Sequence, residues 1–274
     1  MAGRVEGKVA FITGAARGQG RAHALRLAEE GADIIAIDIS EQVDGVPYAT
    51  AKAEDLQETV RQVEALDRRI VAENCDVRDV ENMKSVVEKG VAELGRLDIV
   101  SANAGVDIVG PWDTMTPEIV RTTIDINLIG VWNTVMASVP HILAGGRGGS
   151  IILTSSANGL KAGPWNMAYN MSKYGVTGMA KSFAQELAKH NIRVNSVHPG
   201  GVDTPMAQGI MNVEESGFTK GMEANPDLVG MLTQWLPGMM PAREISNAIL
   251  FLASDESAWV TGHALAVDGG MTQY

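Results

Sequence analysis

The chain has 274 residues, 45% of them hydrophobic and 20% charged, which is enough to bury a sizeable apolar core without disulfide or metal staples. Its net charge of −11, with no run of lysine and arginine, argues against a nucleic-acid partner. Cys75 has no second cysteine to pair with, and the five histidines lack ligand spacing, so we expect no metal site and a reducing, cytoplasmic compartment. We also expect no signal peptide and no membrane span, which would need roughly 18–20 apolar residues in a row.

Short apolar runs alternate with helical patterns along the chain, which predicts βαβ units. The runs are apolar throughout, as is typical of parallel strands buried on both faces. The sequence therefore predicts an α/β fold, a Rossmann-type doubly wound parallel sheet forming a single domain over residues 1–274. The predicted strands are 9–12, 34–37, 99–100, 151–153 and 194–197, with weaker candidates at 69–72 and 264–267.

The predicted helices have clear end signals in places: Gly31 is a C-terminal cap, and Thr116-Pro117 is a good start. Pro140 is expected to kink or end its helix. Two segments break the pattern, an insertion at residues 40–53 and a Gly-, Pro- and Met-rich segment at 203–241 that we interpret as a substrate lid. The predicted helices are 20–30, 54–67, 79–94, 116–143, 169–189 and 242–253.

A glycine-rich turn with TGxxxGxG spacing, residues 13–20, joins the first strand to the first helix. Glycines let the backbone approach a pyrophosphate, and the helix N-terminus supplies free amides, although a plain turn would look the same. Asp38 ends the second strand, where a carboxylate can bind ribose hydroxyls and repel a 2′-phosphate. Because Ile39 follows rather than a cation, the pattern favours NAD over NADP, with Arg17 as the one opposing cation.

Tyr169 and Lys173 are four residues apart, so on a helix they share one face. A free tyrosine has a pKa of about 10, and a nearby ammonium stabilises the phenolate and lowers that value. Such a tyrosine can exchange a proton with an alcohol oxygen. The spacing alone fits an amphipathic surface pair equally well.

With these motifs in order, the chain resembles the short-chain dehydrogenases/reductases over nearly its whole length. The resemblance implies an oxidoreductase that interconverts a secondary alcohol and its ketone by hydride transfer to or from NAD. The matching motifs are Thr13–Gly20, Asp76-Val77, Asn103-Ala104-Gly105, Asn127, Ser156, Tyr169, Lys173, Pro199-Gly200 and Thr204.

The resemblance also implies roles for individual residues. Tyr169 would be the acid/base, tuned by Lys173, which also contacts the nicotinamide ribose. Ser156 would hydrogen-bond the substrate oxygen, and Asn127 would hold a water that relays protons. Met206 and Trp235 are expected to face an apolar substrate, with core filling as the alternative. The implied cofactor-binding residues are Gly14, Arg17, Gly18, Gln19, Gly20, Asp38, Ile39, Asp76, Val77, Asn103, Ala104, Gly105, Tyr169, Lys173, Pro199, Gly200, Val202 and Thr204, with a structural role for Asn103.

The glycine-rich turn at 13–20 is called the cradle below. The insertion at 40–53 and the sequence at 14–23, which includes most of the cradle, resemble a subfamily described as carveol-dehydrogenase-like or mycofactocin-coupled. This resemblance implies tightly held NAD, cyclic terpenoid alcohols such as carveol as substrates, a mycofactocin-type redox carrier and a homotetramer. The alternative for the insertion is a surface loop that has no role in cofactor binding. Two other functions stay open. One is a biosynthetic ketoreductase, which Asp38 disfavours. The other is an NAD-binding regulatory protein without catalysis, which is disfavoured by the presence of all four catalytic residues, Asn127, Ser156, Tyr169 and Lys173.

Overall fold

The structure of the protein is a computed structural model that describes residues 3–211 and 216–273. Its strands are β1 Val9–Thr13, β2 Asp33–Asp38, β3 Ile70–Asn74, β4 Ile99–Ala102, β5 Gly149–Thr154, β6 Ile192–Pro199, β7 Val202–Asp203, β8 Met240–Pro241 and β9 Ala264–Val267. Its α-helices are α1 Gly18–Ala28, α2 Ala53–Glu64, α3 Val80–Leu94, α4 Pro117–Ile124, α5 Gly130–Gly145, α6 Met167–Leu187, α7 Pro205–Met211, α8 Gly217–Ala224 and α9 Ala242–Ala253.

Seven strands form one parallel sheet in the order β3-β2-β1-β4-β5-β6-β9. The chain builds outward from β1 to β3 and then crosses to β4, so the strand order reverses between β1 and β4. In doubly wound folds, ligands bind in the crevice at the carboxyl ends of the strands that flank this reversal. The predicted fold class is therefore confirmed. The short strand β7, which follows β6, pairs separately with β8.

The sheet strands are apolar throughout because their alternate residues face two different cores. Phe11 and Ile35 belong to the core on one face, together with buried side chains of α3, α5 and α6. Ile12 and Ile34 belong to the core on the other face, which α1 and α9 cover. All four of these side chains are fully buried, so neither face of the central sheet meets solvent.

The predicted helix at 116–143 is one continuous helical stretch with a change of geometry in its middle. Between α4 and α5, residues Asp125–Ile129 form a π-helical turn. Thr116 caps α4 with its side chain, and Pro117 occupies the first turn, as predicted. Of the two effects expected of Pro140, a kink or an end, the end is wrong, because α5 continues to Gly145. A proline so close to a helix C-terminus removes one hydrogen bond and leaves the last turn intact.

The same stretch qualifies the expectation that no segment could span a membrane. By length and composition Pro117–Gly145 is apolar enough, with a mean hydropathy of 1.3 in its most apolar window. This is weak evidence, because core helices pass the same test, and here α5 packs against α3 while α4 packs against α6.

Two segments that gave no periodic pattern differ in the structure. The 203–241 segment is largely helical rather than irregular, since it contains α7, α8 and a 3₁₀ stretch at Pro226–Leu232. These elements are too short for an apolar period to show in the sequence. Residues 39–52, by contrast, contain neither helix nor strand. Residues 212–215 lie outside the described part of the chain.

Candidate functional site

The turn between β1 and α1 needs glycine for two different reasons. Gly14 and Gly18 have positive φ values, +68° and +54°, where L side chains are strained. A Cβ on Gly14 would also lie 2.8 Å from the Cα of Ala104. Gly20 is buried, and a Cβ there would lie 1.9 Å from the carbonyl oxygen of Gly14. Gly20 thus shapes the turn by close packing, whereas Gly14 and Gly18 line the crevice.

Asn103 ties the ends of β1 and β4 together at the strand reversal. Its side-chain Nδ2 donates to the carbonyl oxygen of Thr13 at 3.1 Å. The backbone amides of Asn103 and Ala104 both donate to the hydroxyl of Thr13 at 3.0 Å. These bonds hold the two carboxyl ends that form the floor of the crevice, in line with the structural role predicted for Asn103.

Asp38 lies in the half of the crevice beside β2, with Ile39, Asp76 and Val77 in the same wall. Its carboxylate accepts hydrogen bonds from the backbone amides of Ala16 and Ile39, each at 2.8 Å. Burial raises the pKa of Asp38 to about 6, while these two amides and the nearby Arg17 act in the opposite direction. The carboxylate is thereby fixed where it can accept further hydrogen bonds from a ligand in the crevice.

The insertion covers this half of the crevice, and one side chain holds it in shape. The side-chain amide of Gln42 donates through Nε2 to the carbonyl oxygens of Val46 and Tyr48, both at 3.1 Å. Arg17 joins the loop to the cradle by donating to the carbonyl oxygen of Ala49. The insertion residues that line the crevice are Val43, Tyr48, Thr50 and Ala51.

Tyr48 connects three parts of the site. Its hydroxyl accepts a hydrogen bond from the backbone amide of Asp107 at 2.9 Å, just beyond β4. Its side chain lies so close to Gly209 of α7 that a Cβ there would be 2.5 Å from the Tyr48 Cβ. The side chain is only 6% exposed. Tyr48 thus links the insertion, the end of β4 and the first helix of the 203–241 segment.

A second pocket opens beside the cradle and contains the predicted reaction centre. Met206, Ile210, Leu232 and Met239 add apolar surface to it. Trp235 does not line this pocket; it packs over Gly270 and is 64% exposed. The predicted residues that line the pocket are Gln19, Asn103, Gly105, Ser156, Tyr169, Lys173, Pro199, Gly200, Val202, Thr204 and Met206.

The two pockets form one continuous crevice, because both are lined by Gln19, Gly105 and Thr204. The crevice runs from Asp38 across the helix N-terminus to Tyr169. At the junction, the side-chain Oε1 of Gln19 is buried and has no protein partner among the described residues. An extended ligand with a polar middle and a ribose at one end fits this arrangement, as a dinucleotide does.

Tyr169 and Lys173 lie on α6 as predicted, with the Lys173 Nζ 5.3 Å from the centre of the Tyr169 ring. Lys173 donates to the carbonyl oxygen of Thr154 at 2.9 Å. Burial lowers the pKa of Lys173 to about 8, and the carboxyl of Asp107 opposes this shift. Burial and Asp107 raise the pKa of Tyr169 above its ordinary value, while a hydrogen bond with Ser156 lowers it. The net shift for Tyr169 is opposite to the one expected from Lys173 alone, because removal from water dominates.

Asn127 and Ser156 are each fixed by backbone groups. Asn127 lies in the π-helical turn, and its side chain both accepts from the amide and donates to the carbonyl of Val106, each at 2.8 Å. The Ser156 hydroxyl accepts from the amide of Asn158 at 3.1 Å. The Nδ1 of buried His198 lies 2.8 Å from the Ser156 carbonyl oxygen and holds this residue from behind.

Sequence reasoning missed Asp107, Tyr48 and His198. Asp107 had a visible signal, since it is a carboxylate two residues after Gly105, in the segment that follows the predicted strand at 99–100. His198 also follows directly from a predicted strand. Tyr48 had no such signal, because its partner Asp107 lies 59 residues away in the chain.

Comparison with known proteins agrees with this geometry. A family model described as enoyl-(acyl carrier protein) reductase matches residues 14–272. Over 98% of its length the chain is 46% identical to (−)-trans-carveol dehydrogenase of Rhodococcus erythropolis, of which it covers 99%. It is similar to the solved structure of a short-chain dehydrogenase from Mycobacterium paratuberculosis bound to NAD, with 55% identity, a TM-score of 0.96 and coverage of 99% and 100% of the two chains. The same holds for carveol dehydrogenase from Mycobacterium avium in complex with NAD, with 50% identity, a TM-score of 0.91 and the same coverage.

Proposed function

Because the chain belongs to the short-chain dehydrogenase/reductase family and is an NAD-dependent oxidoreductase, we propose that it oxidises a secondary alcohol to its ketone, and reverses this step, with Tyr169 as the acid/base. The observation that supports the proposal is the convergence of Ser156, Tyr169 and Lys173 in one pocket that continues into the crevice beside Asp38. Asn127 is proposed as the fourth member of this catalytic set, and its side chain is held by hydrogen bonds to the backbone of Val106.

In the proposed mechanism, the substrate hydroxyl lies between Ser156 and Tyr169. Ser156 donates a hydrogen bond to the substrate oxygen, and the Tyr169 phenolate takes the hydroxyl proton as hydride leaves the carbinol carbon. Oxidised NAD, when bound, supplies the hydride acceptor and a positive charge near the phenol. Lys173 stabilises the phenolate from α6 and is held in place by the Thr154 carbonyl.

The cofactor is proposed to occupy the crevice with its pyrophosphate at the cradle, Gly14 to Gly18, and its adenosine ribose at Asp38. Gln19, whose Oε1 has no protein partner in the described chain, lies midway. Arg17 acts indirectly here, since it holds the insertion. The other residues proposed to contact NAD are Ile39, Asp76, Val77, Asn103, Ala104, Gly105, Tyr169, Lys173, Pro199, Gly200, Val202 and Thr204, with Gly20 shaping the turn.

Replacement of Tyr169 by Phe tests the catalytic assignment. We expect the rate of alcohol oxidation to fall by about 10²–10⁴-fold, because the proton acceptor is lost. Tyr174→Phe removes a hydroxyl from an exposed tyrosine of the same helix and is the matched control. Retention of the full oxidation rate by Tyr169→Phe would show that the proton leaves by another route.

Tight retention of NAD is a second part of the proposal, supported by the insertion that lines the crevice and by its bonds to Arg17 and Asp107. The test is to purify the protein without added cofactor, denature it and measure released dinucleotide per chain. We expect close to one NAD per chain and poor turnover on free NAD. Absence of dinucleotide together with normal turnover on free NAD would contradict retention. Retained NAD would need re-oxidation in place, for which a mycofactocin-type redox carrier is the proposed partner.

Cyclic terpenoid alcohols such as carveol are the proposed substrates. The apolar side chains Met206, Ile210, Leu232 and Met239 support this class, since they surround the pocket beside Tyr169. The 203–241 segment, which carries these side chains, is the proposed lid. Trp235 keeps a role at the pocket only if the lid moves it inward. Oxidation of a panel of cyclic and linear secondary alcohols, with NAD and with an artificial electron acceptor, tests the substrate class.

A homotetramer in the cytoplasm is the proposed state of the enzyme. Exposed apolar side chains support an assembly: Trp132 and Met136 of α5, Met171 and Tyr174 of α6, each 41–53% exposed, and Trp259, which is fully exposed. Contiguous exposed apolar surface marks a contact site. Sedimentation analysis should give four chains per particle, and a monomer would contradict the proposal.

A further inference from the structure

The reaction pocket contains a carboxyl group that the proposed catalytic set does not use. Asp107 lies two residues beyond Gly105 and lines the pocket together with Tyr169 and Lys173. Its backbone is held by two sets of hydrogen bonds. Val106 is held by the side chain of Asn127, and the amide of Asp107 itself donates to the Tyr48 hydroxyl. These bonds fix the point from which the Asp107 side chain leaves the backbone beside the pocket.

The two carboxyl oxygens of Asp107 differ in their surroundings. Oδ2 accepts a long hydrogen bond, 3.4 Å, from the side-chain amide of Asn166 at the start of α6. Oδ1 is buried and has no hydrogen-bond partner in the described chain. Buried carboxyl oxygens are nearly always hydrogen-bonded in folded proteins. Because Asp107 lines the substrate pocket, a donor on the ligand can supply the missing bond.

The charges around Asp107 restrict the kind of ligand group that fits. Burial raises the pKa of Asp107 to about 7, and the nearby Lys173 acts in the opposite direction, so both protonation states occur near neutral pH. A hydroxyl suits either state, because it donates to a carboxylate and accepts from a carboxylic acid. A carboxylate or an ammonium on the ligand would be attracted by one of the two groups, Asp107 and Lys173, and repelled by the other, whereas a neutral hydroxyl meets neither repulsion.

We propose that Asp107, oriented by Asn166, hydrogen-bonds a second hydroxyl group of the substrate, so that the enzyme prefers diols to simple secondary alcohols. The proposal rests on the dehydrogenase function above, which places the reacting hydroxyl at Ser156 and Tyr169. The carbon skeleton between the two hydroxyls lies against the apolar wall that includes Ile210 and Met239. Specificity of this kind can be strong, because a substrate without the second hydroxyl leaves the Asp107 oxygen unpaired.

The test compares cyclohexanol with the cis and trans isomers of 1,2-, 1,3- and 1,4-cyclohexanediol as substrates of the wild-type enzyme. We expect at least one diol to exceed cyclohexanol in kcat/KM by about tenfold or more. In Asp107→Leu this ratio should fall close to one, and in Asp107→Asn, which keeps one acceptor oxygen, it should fall partway. Asp113→Asn removes an exposed carboxyl outside the pocket and should keep the wild-type ratio.

Binding to Tyr169→Phe, whose turnover is expected to be about 10²–10⁴-fold slower, gives a readout that is independent of catalysis. Dissociation constants of the same diols and of cyclohexanol should show the same preference there. Equal kcat/KM values for diols and cyclohexanol in the wild type would overturn the assignment of Asp107 while leaving the dehydrogenase function intact. Failure to oxidise any alcohol, with the diol preference still seen in binding, would overturn only the proposed function. Preference for 4-aminocyclohexanol over every diol would overturn the hydroxyl assignment.

If Asp107→Leu does not fold, two other comparisons test the proposal: diols against cyclohexanol in the wild type, and the same pair in Asn166→Ala. Loss of the Asn166 amide leaves the Asp107 carboxyl less well oriented, so the diol preference should shrink while cyclohexanol oxidation changes less. An unchanged diol preference in Asn166→Ala would show that Asn166 does not position Asp107.

Discussion

Truncation of Tyr48 tests whether the insertion controls the release of NAD. In the wild-type protein the side chain is 6% exposed, lies against Gly209 and accepts the amide hydrogen bond of Asp107. If the insertion limits release, as proposed, it must separate from α7 and from the end of β4 before NAD leaves, and these contacts would be lost on opening. Tyr48→Ala removes them from the closed state in advance, and the opening barrier should fall.

The size of the effect follows from the contacts. Loss of a buried aromatic side chain costs about 3–5 kcal/mol. We assign about 2 kcal/mol of this loss to the contacts broken on opening, which corresponds to a roughly 30-fold faster release. Tyr48→Phe keeps the ring and loses only the hydroxyl contact, worth about 1 kcal/mol, or roughly fivefold.

The assay follows exchange of bound NAD with an excess of isotopically labelled NAD, by mass spectrometry of the released cofactor. Tyr174→Phe, which removes a hydroxyl bonded to the Leu160 carbonyl at the surface, should exchange at the wild-type rate. A folded Tyr48→Ala protein that exchanges NAD no faster than wild type would refute the idea that the insertion limits release.

Two further predictions concern the cradle and the reaction pocket. Gly14→Ala should lose bound NAD and melt at a lower temperature than the control Gly95→Ala. Both variants replace a glycine of positive φ, but only at Gly14 would the Cβ lie 2.8 Å from the Cα of Ala104. Equal melting temperatures and equal NAD content of the two variants would contradict this. Asp107→Asn should move the pH profile of alcohol oxidation to lower pH, because the Asp107 carboxyl raises the pKa of both Tyr169 and Lys173. The measurement is kcat of the variant and the wild type from pH 5 to 10. An unchanged or alkaline-shifted profile in the variant would contradict the prediction.

The sheet could be predicted from the sequence because its strands are buried on both faces. Burial of Phe11 and Ile12 in opposite cores leaves a run of apolar residues that is visible without any structure. Even the edge strand β9 was predicted at its observed bounds. Helix ends were less accurate. The helix α1 begins at Gly18 rather than residue 20, and the glycine-rich turn leads into it without a capping side chain.

Site residues that belong to local motifs could be predicted, whereas those joined by tertiary contacts could not. The cradle, Ser156, Tyr169 and Lys173 appear as short patterns in the chain. The link between Tyr48 and Asp107 exists only because the insertion folds back over the crevice. The pKa of Tyr169 could not be judged from its spacing to Lys173 either, since burial outweighs the effect of a neighbouring charge and burial is a property of the whole fold.

The π-helical turn at Asp125–Ile129 gives this part of the enzyme an unusual sensitivity to chain length. A π turn holds one more residue than an α turn, and each residue added to or removed from an α-helix rotates everything beyond it by about 100°. The turn therefore lets α4 face α6 while α5 faces α3, with Asn127 directed at Val106 between them. Deleting a single residue here would restore an unbroken α-helix. Such a helix could keep either the contact of Asn127 with Val106 or the packing of α5 against α3, but not both. Point substitutions at exposed positions of this stretch should be tolerated far better than any change in its length.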